Sequence, residues 1–447
     1  MTAQKDVLAR YSAIPVPRYT SYPTAAEFSP AVGKPEALRW LARLGNEKPI
    51  SVYLHVPYCR ELCHYCGCHA KVVRRDAVIE SYRQALAAEI ETVVSIIGKP
   101  LAVGRIHWGG GTPTSLGIEG LASTIDMLRR NFRLDGNAEH AIELDPRLVT
   151  SELARNLAGI GVTRASLGVQ DTDPLVQAAI GRIQPTEQVR DAFRHLRTAG
   201  ITSIGVDLIY GLPLQTVASL TRTCTEVSSM RPDRIACYGY AHMPERRANQ
   251  KQINREDLPD SLVRIELAET VARELGDHGY QSVGIDHFAL EGDGLLAAQG
   301  KQALHRNFQG YTDDDCQVLL GFGASAISHL PDGYLQNETD TQRYVRTVLG
   351  LEPATIRGCR MSATDRLRAR LIETLMCEFR VDLDRALPGD DLSDELALLR
   401  PLIQDGIVTL TGRTIAMTER GRPLVRVVAA LFDTYRRQTP GRFSPAV

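Results

Sequence analysis

From residue 50 onward, short runs of β-branched and apolar residues alternate with longer stretches whose apolar residues recur every three to four positions. The short runs predict strands at SVYLHV (51–56), RIHWGGG (105–111), AIELDP (141–146), RASLGVQ (164–170), SIGVDLIYGLP (203–213) and RIACYGY (234–240). The longer ones predict amphipathic helices, among them AVIESYRQALAAEIETVVSII (77–97) and TEQVRDAFRHLRTAG (186–200), the second with Gly200 where a helix stop belongs. Six such alternations imply a parallel sheet covered on both faces. Two later apolar pieces, QSVGIDHFA (281–289) and LLGFGASAISHL (319–330), are expected to extend that sheet or close its side.

Polar residues concentrate at one end of these strands. Glu143 and Asp145, Gln170, Asp207 and the GGGTPT turn all fall at or near a predicted C-terminal strand end. In a β/α barrel that edge is the active-site face, with packed side chains filling the interior below. A dinucleotide-binding sheet would carry G-x-G-x-x-G after its first strand, and this chain carries a cysteine loop there. The expected fold is therefore α/β, a partial (β/α)6 TIM-like barrel. It divides into an N-terminal arm (1–48) around PRYTSYPTA, the barrel and its extension (49–355), and a mainly helical C-terminal domain (356–447).

That last stretch reads as helices SATDRLRARLIETLMCEF and DELALLRPLIQDGIV, a hairpin IVTLTGRTIAMT (407–418), then a helix, which is winged-helix-like. Winged helices suggest DNA binding. Residues 360–447 carry 14 Arg and no Lys against 12 Asp and Glu, far from a basic recognition surface, so a lid or packing unit is the better expectation. Over the whole chain, 52 Lys and Arg balance 53 Asp and Glu, giving no electrostatic reason to expect nucleic acid or an anionic membrane. No apolar run reaches the length of a membrane span, and the start MTAQKDVLARYS lacks the apolar core of a signal peptide. A cytoplasmic location is expected, where thiols stay reduced and clustered cysteines read as metal ligands or redox groups.

Four of the nine cysteines lie within ten positions, in CRELCHYCGC: Cys59, Cys63 and Cys66 with C-x3-C-x2-C spacing, and Cys68 adding C-x-C. The polar, glycine-containing context excludes ordinary core cysteines here, whereas Cys224, Cys237, Cys316, Cys359 and Cys377 are scattered and read as core. Two metal readings stand. Four thiolates suit a structural zinc, although zinc usually gathers two separated pairs. Three thiolates suit three irons of a [4Fe–4S] cluster, leaving the fourth iron open for chemistry.

C-x3-C-x2-C just after the first strand resembles the signature of the radical S-adenosylmethionine enzymes. Nearly the whole chain resembles the oxygen-independent coproporphyrinogen III oxidase (dehydrogenase) family of haem synthesis. The resemblance rests on PRYTSYPTA (17–25), HWGGGTPT (107–114), ELDPR (143–147), SLGVQD (166–171), DLIYGLP (207–213), DHFA (286–289) and HRNFQGYT (305–312). It implies that Cys59, Cys63 and Cys66 ligate a [4Fe–4S] cluster and that S-adenosylmethionine chelates the open iron. It also implies two S-adenosylmethionine molecules. Tyr53, Gly110, Glu143 and Ile327 would line the first site, and Tyr65, Gly111, Thr112, Gln170, Arg182, Asp207 and Ala241 the second. The glycines of GGGTPT would let the backbone approach a ligand closely.

The implied substrate is coproporphyrinogen III, whose ring A and B propionates become vinyl groups to give protoporphyrinogen IX. A reducing electron donor is required, and a monomer is expected. Arg18 and Arg306 are the candidates for holding substrate carboxylates, because planar guanidiniums match them best. Cys68 is expected to be a non-ligand with a role in substrate or radical handling or in packing. His55 is read either as an assistant to cluster or proton chemistry or as a packed strand histidine. Haem-chaperone relatives share the barrel and three cysteines but commonly lack the fourth cysteine and an RYTSYPT arm. Both are present here, which favours the biosynthetic enzyme over that alternative. From a different class, a zinc-bearing DNA-binding regulator is opposed by the balanced charge and the single-loop thiols.

Overall fold

The computed structural model describes residues 2–436 and 443–446. Six parallel strands, β1 (Ile50–Val56), β2 (Ala102–Gly110), β3 (Arg133–Leu144), β4 (Arg164–Gln170), β5 (Ser203–Tyr210) and β6 (Arg234–Gly239), lie side by side in that order. Helices Asp76–Ile97, Gly117–Asn131, Ser151–Gly159, Thr186–Thr198 and Val217–Ser229 connect them. Helix Thr186–Thr198 shows why: Val189, Ala192, Phe193 and Leu196 form one buried stripe, and Gly200 turns the chain at φ +93°.

The six strands do not close on themselves. Beyond β1 the sheet continues through Leu319–Phe322, parallel to β1, and then antiparallel through Ile327–Leu330, Gly333–Asn337 and Thr355–Arg360. Beyond β6 it continues through the antiparallel pair His287–Ala289 and Gln281–Val283. The two late apolar pieces thus extend opposite edges of one twelve-stranded sheet.

Alternation along each strand divides the sheet into two chemically distinct faces. Val52, Leu54 and Val56 of β1, with Val103, Ile106 and Trp108 of β2, are buried in the large core that includes the helices' apolar stripes. The intervening residues face inward and are polar: Ser51, Arg105, His107, Glu139, Glu143, Arg164, Ser166, Asp207 and Arg234. The expectation of an interior filled by packed side chains is therefore corrected. An open six-stranded sheet leaves room, and its inner face surrounds a cavity of about 900 Å³. Ion pairs join the N-terminal strand ends: Arg105 to Glu139 (3.1 Å) and Asp313 (2.9 Å), Arg164 to Glu139 (3.4 Å), and Arg234 to Asp293 (2.8 Å).

A second core belongs to the C-terminal part. Helices Ala363–Glu378 and Ser393–Gln404 pack with a three-stranded antiparallel sheet of Arg380–Asp382, Val408–Thr411 and Thr414–Met417. The N-terminal arm is built into this core. Tyr11, Val16, Tyr19 and Tyr22 cluster with Leu371, Leu375, Val428 and Phe432, and the Tyr19 hydroxyl donates to Asp433 at 3.0 Å. Arm and C-terminal helices thus share one core, and the large sheet's last strand runs to Arg360, across the expected edge at 355/356. No helix among the described residues is long and apolar enough to cross a membrane.

Candidate active site

The cysteine loop leaves the C-terminal end of β1 and sits at the mouth of the cavity, with Cys59, Cys63, Cys66 and Cys68 all on its wall. A loop this irregular needs external partners for its backbone carbonyls. They come from far along the chain. The Asn249 amide nitrogen lies 3.0 Å from the Cys63 carbonyl, 3.1 Å from that of His64 and 2.9 Å from that of Cys66. Gln250 donates to the Tyr65 carbonyl at 2.8 Å and to that of Ala241 at 3.2 Å. On the other side, the Thr112 amide donates to the Tyr58 carbonyl and the His64 amide to that of Ile180.

The thiols are placed among donors. The Thr112 hydroxyl donates to Cys59 Sγ and Arg182 Nη1 to Cys63 Sγ, each at 3.5 Å. The Cys66 thiol is lowered to about 7 by its hydrogen bond with Cys68, with Arg247 and Arg182 adding to that effect. Among the described residues, the one group of three or more metal-ligating side chains with all ligand atoms within 4.8 Å is Asp314, Asp315 and Cys316. No three of the loop thiols therefore fall within 4.8 Å of one another, whereas a single tetrahedral zinc with 2.3 Å bonds would set its thiolates about 3.8 Å apart. Three thiols on one short loop, more widely spaced and facing a cavity beside a buried cation, fit a cluster.

Around the mouth, each strand end contributes one group. The Glu143 carboxylate accepts from the Gly110 amide at 3.3 Å and pairs with His107 at 3.2 Å. Buried Arg182 donates to the Gly168 carbonyl at 2.7 Å and pairs with Asp145 at 3.2 Å, while its Nε has no partner among the described residues. Against the cost of burial, hydrogen bonds from Arg147 and the charge of Arg182 hold the Asp145 carboxyl below the ordinary range. Asp207 behaves oppositely: burial and nearby Glu143 push its carboxyl up to about 7, against the Ser166 hydroxyl at 3.2 Å and the charge of Arg164, which favour the ionised form. Gln170 closes β4 at φ +69°, and this kink follows the irregular pairing between Gly168 and Gln170.

Nine of the eleven expected cofactor residues line this cavity: Tyr65, Gly110, Gly111, Thr112, Glu143, Gln170, Arg182, Asp207 and Ala241. Tyr53 and Ile327 are not on that wall. The Tyr53 hydroxyl meets His55 Nδ1 at 3.0 Å, and Ile327 packs against the cluster containing Phe28 and Tyr334. The glycines also meet a packing demand within the protein. A Cβ on Gly110, at φ +114°, would fall 2.7 Å from the His55 ring, and one on Gly111 would fall 2.6 Å from the Tyr58 carbonyl oxygen. Close approach within the protein demands them.

His55 is a packed histidine. Its Nε2–H donates to the His69 carbonyl at 3.1 Å, leaving Nδ1 to accept from Tyr53, and burial lowers its pKa to about 4. Arg18 and Arg306, expected from separate motifs, come together on the far wall of the same cavity. Arg306 Nε donates to the Arg18 carbonyl at 3.3 Å, and Arg18 donates to the Gly239 carbonyl at 3.1 Å. Arg306 also pairs with Asp286 at 3.5 Å and lies over the Tyr311 ring at 4.4 Å. Asp286 in turn accepts from His287 Nδ1 at 2.7 Å.

Sequence reasoning passed over Asn249, Gln250, Asp286 and His287. Asp286 and His287 open the DHFA motif, which was a signal without an assigned role. Asn249 and Gln250 carried none, lying in RANQKQ some distance from any strand end.

Comparison with known proteins accounts for both halves of this arrangement. The radical SAM superfamily matches residues 53–227 and the HemN C-terminal domain matches residues 361–424. The oxygen-independent coproporphyrinogen III oxidase of Bradyrhizobium diazoefficiens is 45% identical over 435 residues, covering 96% of this chain and 97% of that protein. The Escherichia coli oxidase of the same name is 40% identical over 432 residues, covering 94% of this chain and 93% of its own length. The solved structure of the Escherichia coli coproporphyrinogen III oxidase HemN, described as a radical SAM enzyme, superposes with a TM-score of 0.89 at 38% identity, over 94% of this chain and 97% of that one. With its thiol loop at the mouth of an open barrel, and with kinship running the whole length of the molecule, the chain belongs to the oxygen-independent coproporphyrinogen III oxidase family of radical S-adenosylmethionine enzymes.

Proposed function

We propose that the chain converts the ring A and B propionates of coproporphyrinogen III to vinyl groups without oxygen, giving protoporphyrinogen IX. One observation carries this reading: the thiol loop and the arginine wall line the same cavity of about 900 Å³, so radical chemistry and carboxylate recognition share one space. Cys59, Cys63 and Cys66 would hold the cluster. When bound, the cluster and S-adenosylmethionine supply a carbon radical able to take hydrogen from an unactivated carbon. At each propionate, loss of the β-hydrogen atom is followed by loss of CO2 and of one electron to a one-electron acceptor, leaving the double bond.

The residues around the mouth have distinct tasks in this reading. Glu143 offers a carboxylate to an ammonium group, and Arg182 offers its unpaired Nε–H to a carboxylate. Gln170, Thr112 and Asp207 offer hydrogen bonds to ribose hydroxyls. Tyr65, Gly110, Gly111 and Ala241 shape the walls, and room for two S-adenosylmethionine molecules is part of the proposal. Tyr53 and Ile327 support it from behind. Cys68, exposed beside Cys66, is assigned to substrate or radical handling and not to the cluster. Arg18 and Arg306 hold substrate carboxylates, and the arm with the C-terminal domain forms the lid-like wall that carries Arg18. A reducing electron donor, a monomeric state and a cytoplasmic location complete the reading.

The test is anaerobic turnover of coproporphyrinogen III with S-adenosylmethionine and a low-potential reductant. Formation of protoporphyrinogen is expected. An intact cluster with no product, together with haem binding, would instead make the protein a haem-handling relative.

A further inference from the structure

Arg306 and Arg426 are both more than nine-tenths buried, yet Nη1 of Arg306 and both Nε and Nη1 of Arg426 have no partner among the described residues. Both line a second cavity of about 320 Å³. It lies between the N-terminal arm, helix Ser261–Asp277 and the C-terminal domain, and it shares Arg18, Tyr238, Gly239, Tyr240 and Arg306 with the large cavity. Six arginines line it against three carboxylates, Glu269, Asp286 and Glu419. Glu419 is occupied by Arg422 at 2.7 Å, and Asp286 by Arg306 and His287. Arg264 reaches the same space from its helix, donating to the Tyr240 carbonyl at 2.9 Å.

Four guanidiniums from four distant segments, Arg18, Arg264, Arg306 and Arg426, thus border one pocket. Burial, then the charges of Arg18 and Arg306, lower the Arg426 pKa to about 10. An anion would accept from the unpartnered N–H groups of Arg306 and Arg426. The rest of the lining, Ile265, Ala268, Ile285, Phe288 and Leu424, is apolar, which suits a carboxylate on an organic frame better than a hydrated inorganic ion. No cysteine-loop residue borders this space, so a carboxylate held there is kept away from the radical end.

We propose that the second cavity is a carboxylate subsite of the substrate pocket, in which Arg18, Arg264, Arg306 and Arg426 hold the propionates that the reaction leaves intact. This rests on the tetrapyrrole reading above. The test titrates the anaerobic holoenzyme with coproporphyrin III, the fluorescent oxidised analogue, and with its tetramethyl ester. Arg426→Gln and Arg264→Gln should each weaken coproporphyrin III binding by about tenfold or more and leave ester binding within about twofold. The KM for coproporphyrinogen III should rise more than kcat falls. Wild-type binding of coproporphyrin III by folded Arg426→Gln and Arg264→Gln proteins overturns the subsite. So does phosphate that binds the cavity without competing with the porphyrin. Failure of the wild-type protein to bind coproporphyrin III overturns the substrate reading itself. Should Arg426→Gln not fold, Arg264→Gln and the charge-retaining Arg426→Lys decide, the latter being expected to keep most of the binding.

Discussion

The two walls of the large cavity are built in opposite ways. The thiol wall is contiguous: ten residues supply every sulfur, and distant Asn249 and Gln250 only brace its carbonyls. The arginine wall is assembled: Arg18 comes from the arm and Arg306 from a hairpin, while Arg264 from a barrel helix and Arg426 from the C-terminal domain extend it into the second cavity. Ligands of one rigid inorganic core must be spaced to a fraction of an ångström, which a short loop provides. A large flexible polycarboxylate needs widely separated cations, which only tertiary folding provides. The difference also fixes how each wall should fail. Damage to the thiol wall should remove chemistry and spare the fold, whereas damage to the arginine wall should affect both.

Cys59→Ala sharpens the comparison most. It removes one of the three proposed ligands from a half-buried site that contributes little apolar burial, so the anaerobic protein should lose its iron, sulfide, brown colour and turnover. Its secondary structure and thermal midpoint should stay close to those of the cofactor-free wild-type chain. Retention of cluster and activity would refute the ligand assignment.

Asp286→Ala probes the opposite wall. Arg306 is buried with its side chain 3% exposed, and Asp286 is its charge partner and also the acceptor for His287. Removing one partner of a buried pair leaves the other charge uncompensated, at a cost of about 3–5 kcal/mol. The variant should therefore unfold at markedly lower urea, in contrast with Cys59→Ala. An unchanged urea midpoint would mean that Arg306 finds compensation elsewhere and that the arginine wall is not under electrostatic strain.

Asn249→Ala tests whether the contiguous wall depends on its distant brace. The Asn249 amide stands at the focus of three loop carbonyls, and leaving them unsatisfied costs about 1–3 kcal/mol. The cluster should still assemble but should be lost to a chelator about tenfold faster or more. Bleaching at the wild-type rate would show that the loop holds its own shape.

The same contrast explains what could be read in advance. The six strands, the thiol loop and the polar strand ends were legible because each is a local pattern: period-two alternation, C-x3-C-x2-C spacing, a glycine turn. The hollow interior was present in the same alternation, in Arg105 and His107 or Arg164 and Ser166. It is read correctly only once the sheet is known to stay open, since a closed barrel would have filled it. Arg264 and Arg426 carried no local signature, because an arginine on an amphipathic helix looks like a surface charge until another domain covers it. The arm likewise read as a separate piece because Tyr11, Val16, Tyr19 and Tyr22 find their apolar partners more than 300 residues away.

The smallest effect expected concerns Asp207, where the thiol wall meets the interior. Its carboxyl is raised to about 7 by burial and by Glu143, so the folded chain holds that proton more tightly than the unfolded chain does. Stability from this group is therefore fully present below the ordinary aspartate pKa of about 4 and is lost as pH rises through about 7. Asp207→Asn removes the ionisation and keeps a hydrogen-bonding partner for Ser166. In cofactor-free protein, the variant's urea midpoint should match wild type near pH 4 and exceed it at pH 8, with the gap opening between those values. A constant offset at both pH values would mean that Asp207 is ionised throughout, with water in the cavity solvating its charge. It would then be a permanent anion on the thiol side, facing the permanent cations of the arginine wall across the same space.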